Sequence, residues 1–464
     1  MKKNQLQYST VIGVATRLKH CFEALDVKMP DLEIERLSHF INIVYGTRNR
    51  AFHDVGHALG VGTGCTAIGQ LAALFHDVVY LQVDRSRLNE LRSLFGVFDP
   101  GDSLELTIPA QETLERDPWR HALVTLFGFK AGQKLGPFTG VNEFLSGWVA
   151  VQKLKNLVEA KELIQILACI EATIPFRGEQ DAPSASEKLL ANLRAASDLL
   201  AVNLNVTELE ESIGEAVRVS NNDVMGFGLQ EPEVFIYNSW ALLYEGNPAL
   251  QNDYYTLIKY REPLLRLESF LGSLNPRKIF LTYKNIPESA QLEKLLAGAA
   301  ENISVARQYV RTKILDTAIL EAFALLSGGD GPLELFTGPK AKSREGKVAR
   351  IEHFIDWTTI TQHQDGKNAR VIRLLTVGRE FRSKFDVKTA LFAAYVYQGL
   401  TGEEFARAYD ASIEFLGRKL DAENFLSTLP DPMLDHIGEV LAKLAWTRAT
   451  AIRTFLRNRK RRAA

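Results

Sequence analysis

Cysteine is nearly absent from this 464-residue chain: Cys21, Cys65 and Cys169 are scattered, odd in number and without a Cys-x-x-Cys pair. That excludes a disulfide framework and offers no thiolate zinc site. A charge excess of one sign is also missing. Lys and Arg number 55 against 56 Asp and Glu, so no global field draws the chain to nucleic acid or to a membrane surface. The one local excess, Arg457-Asn-Arg-Lys-Arg-Arg462, reads as a solvated, frayed terminus before it reads as a binding patch. No stretch approaches the ~20 apolar residues of a membrane span. The first residues alternate polar and apolar, where a secretory leader needs a continuous apolar run. A soluble cytoplasmic protein is the expectation.

Short alternating runs of β-formers are scarce. Lys278-Ile-Phe-Leu-Thr-Tyr283 and Arg370-Val-Ile-Arg-Leu-Leu375 are the candidates, and either can be helical. No repeat of 20–50 residues is visible. What fills the chain is helical periodicity. Ile34, Leu37, Ile41, Val44 and Tyr45 recur at three and four, as one buried helix face requires. Leu71, Leu74, Phe75 and Val78 do the same, as do Leu189, Leu190, Leu193 and Ala196. Leu292 to Val310 and Ile314 to Leu325 continue the pattern. The fold class is all-α. With 46% apolar residues the chain can bury a sizeable core, and its length predicts two or three units. Turn-rich stretches place soft cuts near 260 and 345, giving a domain over 1–260, a helical connection over 261–345 and a helical C-terminal region over 346–464. Ser184 or Ser186 is expected to cap the helix after the 175–184 loop.

Three of the nine histidines fall close together: His53, His57 and His76, the last followed by Asp77. His53 and His57 are four apart and would share a helix face. His76-Asp77 ends a strongly apolar run, and a buried Asp is costly unless it is paired or metal-bound. Imidazole with carboxylate suits Zn, Mn or Fe, and Mg where water completes the shell. Gly60-Val-Gly62-Thr-Gly64 lacks the strand and spacing of a dinucleotide loop and points to close helix packing. His353 and His363 have no acidic doublet, and His20, His39, His121 and His436 are isolated.

Arg50-Ala-Phe-His53-Asp-Val-Gly-His57, then Phe75-His76-Asp77-Val-Val-Tyr80, then Asn89-Glu90 and Ser93 together resemble the HD superfamily of metal-dependent phosphohydrolases. The resemblance is to a bacterial subgroup of predicted phosphohydrolases, and it spans roughly residues 10–250. It is similar, more distantly, to cyclic-nucleotide phosphodiesterases. Asp54 stands where those enzymes have Asn, and their His-Pro-Gly after the doublet is missing, which weakens a cyclic-nucleotide substrate. An HD-type helical bundle is implied, with metal ligands at His57, His76 and Asp77 and a fourth carboxylate on a later helix. Asp181, Asp198 and Asp223 are candidates, and Asp223, in Asn221-Asn222-Asp223, fits best. The resemblance makes His53 the proton donor to the leaving oxygen. The Ile170–Phe176 segment resembles one lining the family's pocket, although Thr173 can equally cap or pack.

The implied activity is hydrolysis of a phosphate ester, a nucleotide or cyclic nucleotide, by water activated on one or two divalent ions. Asp77 would bind metal and orient the nucleophile, and Arg50 would contact a phosphate from His53's helical face, unless it makes a surface salt bridge. Glu90 would bind a second metal or orient a ligand histidine, unless it makes a surface salt bridge. The expected partner is a small phosphorylated substrate, with neither membrane nor nucleic acid. The C-terminal region suits dimerisation, a lid or partner binding. The alternative is a catalytically weak or inactive nucleotide sensor on the same scaffold; a plain helical scaffold is the third reading.

Overall fold

A computed structural model describes residues 10–463 apart from 48, 85–87, 102–103, 137–138, 179–181, 229–230, 253, 340–348, 365–366, 380–385 and 387. The chain is almost entirely helical, and it divides into two compact units. The first comprises residues 1–229 and 275–300, the second 230–274 and 301–464.

The first unit contains α1 (Thr10–Ala24), α2 (Asp31–Tyr45), α3 (Val55–Val61), α4 (Ala67–Phe75) and α5 (Leu88–Phe95). They are followed by α6 (Gln111–Leu114), α7 (Pro118–Leu126), α8 (Val141–Leu154), α9 (Ala160–Ala172), α10 (Ala185–Leu199) and α11 (Val206–Asp223). Two short antiparallel strands, β1 (Leu106–Thr107) and β2 (Lys134–Leu135), are the only ones among the described residues. The helix starts follow local chemistry. Ser184 caps α10 in a capping box with Glu187, and Asn205 caps α11 with Glu208. The α2 periodicity appears as a buried face of Ile34, Leu37, Ile41, Val44 and Tyr45.

Helix α4 is the centre of the unit. Gly69, Leu71, Ala72, Ala73, Leu74 and Phe75 are all buried, which only a helix enclosed on every side allows. It packs against α1, α3, α9 and α11. At its start Glu215 of α11 accepts from Thr66 N at 2.5 Å and Thr66 Oγ1 at 2.7 Å, taking up a helix-end donor and fixing α11 against α4. Within the glycine run only Gly62 is closely packed, where a methyl would meet Ala73 Cβ and Gln70 Cα, each at 3.3 Å; Gly60 has open space and Gly64 takes a positive φ of 75°.

The second unit holds α12 (Pro232–Glu245), α13 (Leu257–Ser273), the part of α14 (Ser289–Leu326) from residue 301, and α15 (Leu333–Thr337). Then come α16 (Ala369–Thr376), α17 (Leu391–Gln398), α18 (Gly402–Leu416), α19 (Ala422–Leu426), α20 (Asp431–Leu444) and α21 (Ala449–Ala463). Its core carries a polar knot in which Asp386 Oδ2 accepts from Trp240 Nε1 and Tyr260 OH, both at 3.1 Å.

Several sequence features can be placed on the fold. The cut near 260 falls inside α13, all of which belongs to the second unit, and 345 lies outside the described residues. Arg370–Leu375 is helical, within α16. Residues 278–283 form no strand beyond the isolated bridge of Tyr283 to Ile286. The basic terminus is not frayed: α21 is ion-paired through Arg459 to Asp435 at 2.9 Å, Lys460 to Asp435 at 2.8 Å and Arg462 to Glu423 at 2.7 Å. No helix among the described residues is long and apolar enough to cross a membrane.

The closeness of α4 and α11 gives a first prediction. A methyl on Gly69 would collide with Glu215 Oε1, Cys65 Cβ (2.8 Å) and Val219 Cγ2 (3.0 Å). Gly69→Ala should therefore lower stability by about 1–3 kcal/mol through overpacking, despite alanine's higher helix propensity. Urea denaturation measures it, and an unchanged midpoint contradicts the packing described.

Candidate metal centre

The site forms where α4 ends. His76 is the C-cap of α4, its N–H bonded to Ala72 O at 2.8 Å. Its Nδ1 lies 2.8 Å from Ala73 O. A carbonyl only accepts, so Nδ1 carries the proton and the neutral ring turns the Nε2 lone pair away from its own helix. Asp77 is the next residue. His57 enters from the first turn of α3, whose start is fixed by Asp54: the Asp54 carboxylate accepts from His57 N at 2.9 Å. Capping is thus the task of the residue that differs from the phosphodiesterase pattern.

Asp223 ends α11, and its two predecessors aim it. Asn221 Nδ2 donates to Leu281 O at 3.0 Å while its Oδ1 accepts from Leu281 N at 2.8 Å. Asn222 Nδ2 donates to Val61 O at 2.8 Å and Thr63 O at 3.0 Å, at the end of α3. Asp223 is left facing the histidines.

The four ligand-capable atoms of His57, His76, Asp77 and Asp223 lie within 4.8 Å of one another. His57 Nε2 is 2.9 Å from Asp223 Oδ1 and 3.8 Å from Asp77 Oδ2; His76 Nε2 is 3.0 Å from Asp77 Oδ2 and 3.5 Å from Asp223 Oδ1. An ion with bonds of about 2.1 Å in octahedral geometry holds adjacent donors about 3.0 Å apart and opposite ones about 4.2 Å. The cluster therefore has the right size after a contraction of under about 1 Å. The decisive feature is that both Nε2 atoms are buried and make no hydrogen bond of acceptable geometry, although carboxylate oxygens lie so close. Lone pairs that converge on a point, without an N–H directed at an oxygen, are the arrangement of a donor set. The residues fit a divalent ion, and the His₂Asp₂ set can coordinate one.

The electrostatics agree. Burial works against charge on Asp77, yet the positive charge of His76, His53 and His57 holds its carboxyl far below the usual carboxylate range. Burial likewise opposes charge on Asp223, while His57 and His76 bring it down to about 2. Burial alone would lower His76, but Asp77 and Asp223 raise it well above its ordinary value. Two carboxylates in a largely buried site attract a cation, and without metal a proton on His76 takes that place.

Arg50, read in the sequence as a phosphate contact or a salt-bridge partner, makes an ion pair. Its side chain is fully buried against Asp84, with Nη2 to Oδ2 at 2.6 Å and Nε to Oδ1 at 3.1 Å. Nη1 donates to Asp77 O at 2.7 Å and His53 O at 3.3 Å. Asp84 Oδ2 also accepts from Tyr80 N at 3.0 Å. With its guanidinium committed in this way, Arg50 fixes the backbone on both sides of the cluster.

His53 is not on α3, as its spacing suggested, because the extended backbone at Asp54 starts that helix at Val55. It lies in the preceding bend, its ring 5.7 Å from that of His57 and 4.6 Å from that of Tyr80. Its Nε2 is 4.0 Å from Asp77 Oδ2, and it is outside the set of four. Asp198 lines a separate hollow with Arg194 and Asn203. Asp181 and the side chains of Asn89 and Glu90 lie outside the described residues, and Ser93 is exposed. Thr173 bonds back to Ile170 O at 2.7 Å, a local cap. Asp84, Glu215 and Asn222 were missed in the sequence, since each acts on a partner remote along the chain.

Comparison with protein-family models, curated proteins and solved structures returns no match for this chain.

Two predictions follow from this geometry. Arg50→Ala should cost about 3–5 kcal/mol by leaving Asp84 buried and unpaired, and Arg50→Lys should restore little, having no second arm for the two carbonyls. Chemical denaturation reads the first, and divalent-ion affinity should fall in both variants.

The second concerns pH. His76 is raised in the folded state, so its stabilisation is full below the ordinary histidine value of about 6.5 and is lost at higher pH, as the raised folded value is passed. Asp223 has a depressed one, so its contribution is present above about 3.8 and lost as pH falls toward about 2. In EDTA the melting temperature should be highest in mild acid and fall on the alkaline side. With excess Mn²⁺ the alkaline decline should disappear, because metal displaces the proton. A metal-free melting temperature that climbs from pH 6.5 to 9 contradicts this charge arrangement.

Proposed function

We propose that this protein is a metal-dependent phosphohydrolase that cleaves a small phosphate ester, a nucleotide or cyclic nucleotide in the first instance. The observation that carries the reading is the convergence of two orphaned imidazole nitrogens and two carboxylates at the end of a buried helix. The resemblance of the Arg50–His57, Phe75–Tyr80 and Asn89–Ser93 segments to HD phosphohydrolases supplies the reaction class. His57, His76, Asp77 and Asp223 would hold a divalent ion, Zn, Mn, Fe or Mg. Such an ion supplies Lewis acidity toward a phosphoryl oxygen and makes water a nucleophile near neutral pH.

The chain's own residues supply the rest. Asp77 draws positive charge into the site and can orient an attacking water through the oxygen that faces His53. His53 is the proton donor: its side chain is 16% exposed, enough to meet a substrate, and it stands beside the four ligands without joining them. An imidazole there can hold a proton at Nε2 for the departing oxygen at neutral pH. Arg50 keeps the His53 and Asp77 backbones in register, so the donor and the metal set stay aligned.

Metal analysis of purified protein, together with phosphate release from a panel of nucleotides and cyclic nucleotides, tests the reading. Asp77→Ala should lose both metal and turnover. His53→Ala should keep the metal and lose activity by about 10²–10⁴-fold. Protein that binds no metal overturns the proposal. Metal retained without turnover on any ester favours the nucleotide sensor. Loss of metal in His53→Ala makes that residue a ligand and removes its role as donor.

A further inference from the structure

The chain leaves α9 through a tight turn. Phe176 takes a positive φ of 62°, which few residues other than glycine adopt, and Arg177 comes back onto the end of its own helix. Its Nη1 pairs with Glu171 Oε1 at 2.5 Å. Its Nη2 donates to Glu171 O at 2.6 Å and Oε2 at 3.1 Å, and its Nε donates to Ile174 O at 3.1 Å. Gly178 N then bonds to Lys278 O at 2.8 Å. A methyl on Gly178 would collide with Phe280 O and with Arg277 O, the latter at 2.8 Å. Glycine thus lets residues 277–280 lie against this turn, and the contact brings Lys278 to the same wall as Arg177.

Between this wall, the end of α7 and the first turns of α10 is a hollow of about 490 Å³, within the ~300–1,000 Å³ of small-molecule sites. Arg177, Lys188, Lys278, Phe127 and Phe176 help to line it, and all belong to the first unit. None of His53, His57, His76, Asp77 and Asp223 lines it, so it is separate from the candidate metal centre.

The charges in this hollow do not cancel. Glu171 neutralises Arg177. Among the described residues, neither Lys188 nor Lys278 has its ammonium paired with a carboxylate or hydrogen-bonded; Glu179 and Asp181 lie outside those residues. The start of α10 is closed by its own Ser184 and Glu187, so the lysines carry the charge and the helix end does not. Two uncompensated ammonium groups match one dianion, and a phosphate monoester carries about 1.5–2 negative charges near pH 7. Arg177 has spent donors from all three nitrogens, yet its side chain is 30% exposed. What it still offers is the flat face of the guanidinium, which stacks on planar rings, and the half-buried Phe176 ring lines the same hollow.

We propose that this hollow is a second binding site, separate from the metal centre, for a small phosphate monoester that carries a planar ring. The phosphate would lie against Lys188 and Lys278, and the ring against Phe176 and the face of Arg177.

Calorimetric titration of the full-length chain with phenyl phosphate, in EDTA so that no metal-bound phosphate contributes, tests the site. Wild type should bind one molecule per chain, about tenfold or more tighter than inorganic phosphate at equal ionic strength, as one stacked ring provides. Lys188→Gln and Lys278→Gln should each weaken binding by about tenfold or more, the loss of one charged contact. Lys294→Gln, which removes the same charge outside the hollow, should leave the affinity unchanged, and Asp77→Ala should bind as wild type does. No saturable binding by wild type overturns the proposal, as does an affinity no higher than that for inorganic phosphate. An affinity unchanged in either Lys188→Gln or Lys278→Gln, or lowered as much by Lys294→Gln, overturns it too. Loss of binding in Asp77→Ala assigns the ligand to the metal cluster and overturns a separate site.

Discussion

The buried pair of Arg50 and Asp84 is the constraint on which the rest of the site depends. Both side chains are withdrawn from solvent, and such a pair is retained only where its hydrogen bonds are fully used. Here they are. Arg50 spends two donors on Asp84 and one nitrogen on the carbonyls of His53 and Asp77, and Asp84 takes in Tyr80 N as well. The segment carrying the candidate proton donor and the turn carrying the candidate ligand are therefore built on one ion pair. Neither is a helix, and neither would hold its shape unaided.

The remaining ligands reach the same point through helix ends. Asp223 ends α11 and His76 caps the end of α4, while His57 begins α3. Glu215 fastens α11 to the start of α4, and Asn222 fastens the end of α11 to the end of α3. Side chains at helix ends need not pack along a face, so they can point into a shared space while the helix bodies stay apolar. The arrangement also explains Gly62 and Gly69: α4 must lie close enough to α3 and α11 for their ends to meet.

Much of this was legible in the sequence, for reasons that can be named. Ile34 to Tyr45 declare a helix by their spacing, and Ser184 with Glu187 declares a helix start. His76-Asp77 closing an apolar run is chemically conspicuous wherever the chain goes. Other features were not legible. His53 and His57 are four apart, which reads as one helix face, but Asp54 between them is an N-cap and ends that reading. Arg50 near His53 reads as a phosphate contact, because its partner Asp84 is remote along the chain. The terminal arginines read as a free tail, since their partners are the acids of α19 and α20.

Local chemistry thus decided the helices, their caps and the identity of the candidate ligands, because spacing and side-chain type act within a turn or two. Tertiary structure decided which carboxylate completes the set and what Arg50 holds. Asp198 and Asp223 are both candidates in the sequence, where the resemblance favours Asp223 without placing it in space. Only the fold turns one of them toward His57, by anchoring Asn221 and Asn222 on backbone far away along the chain. A metal site needs donors within a few ångströms in space, and no spacing rule along one chain can supply that distance.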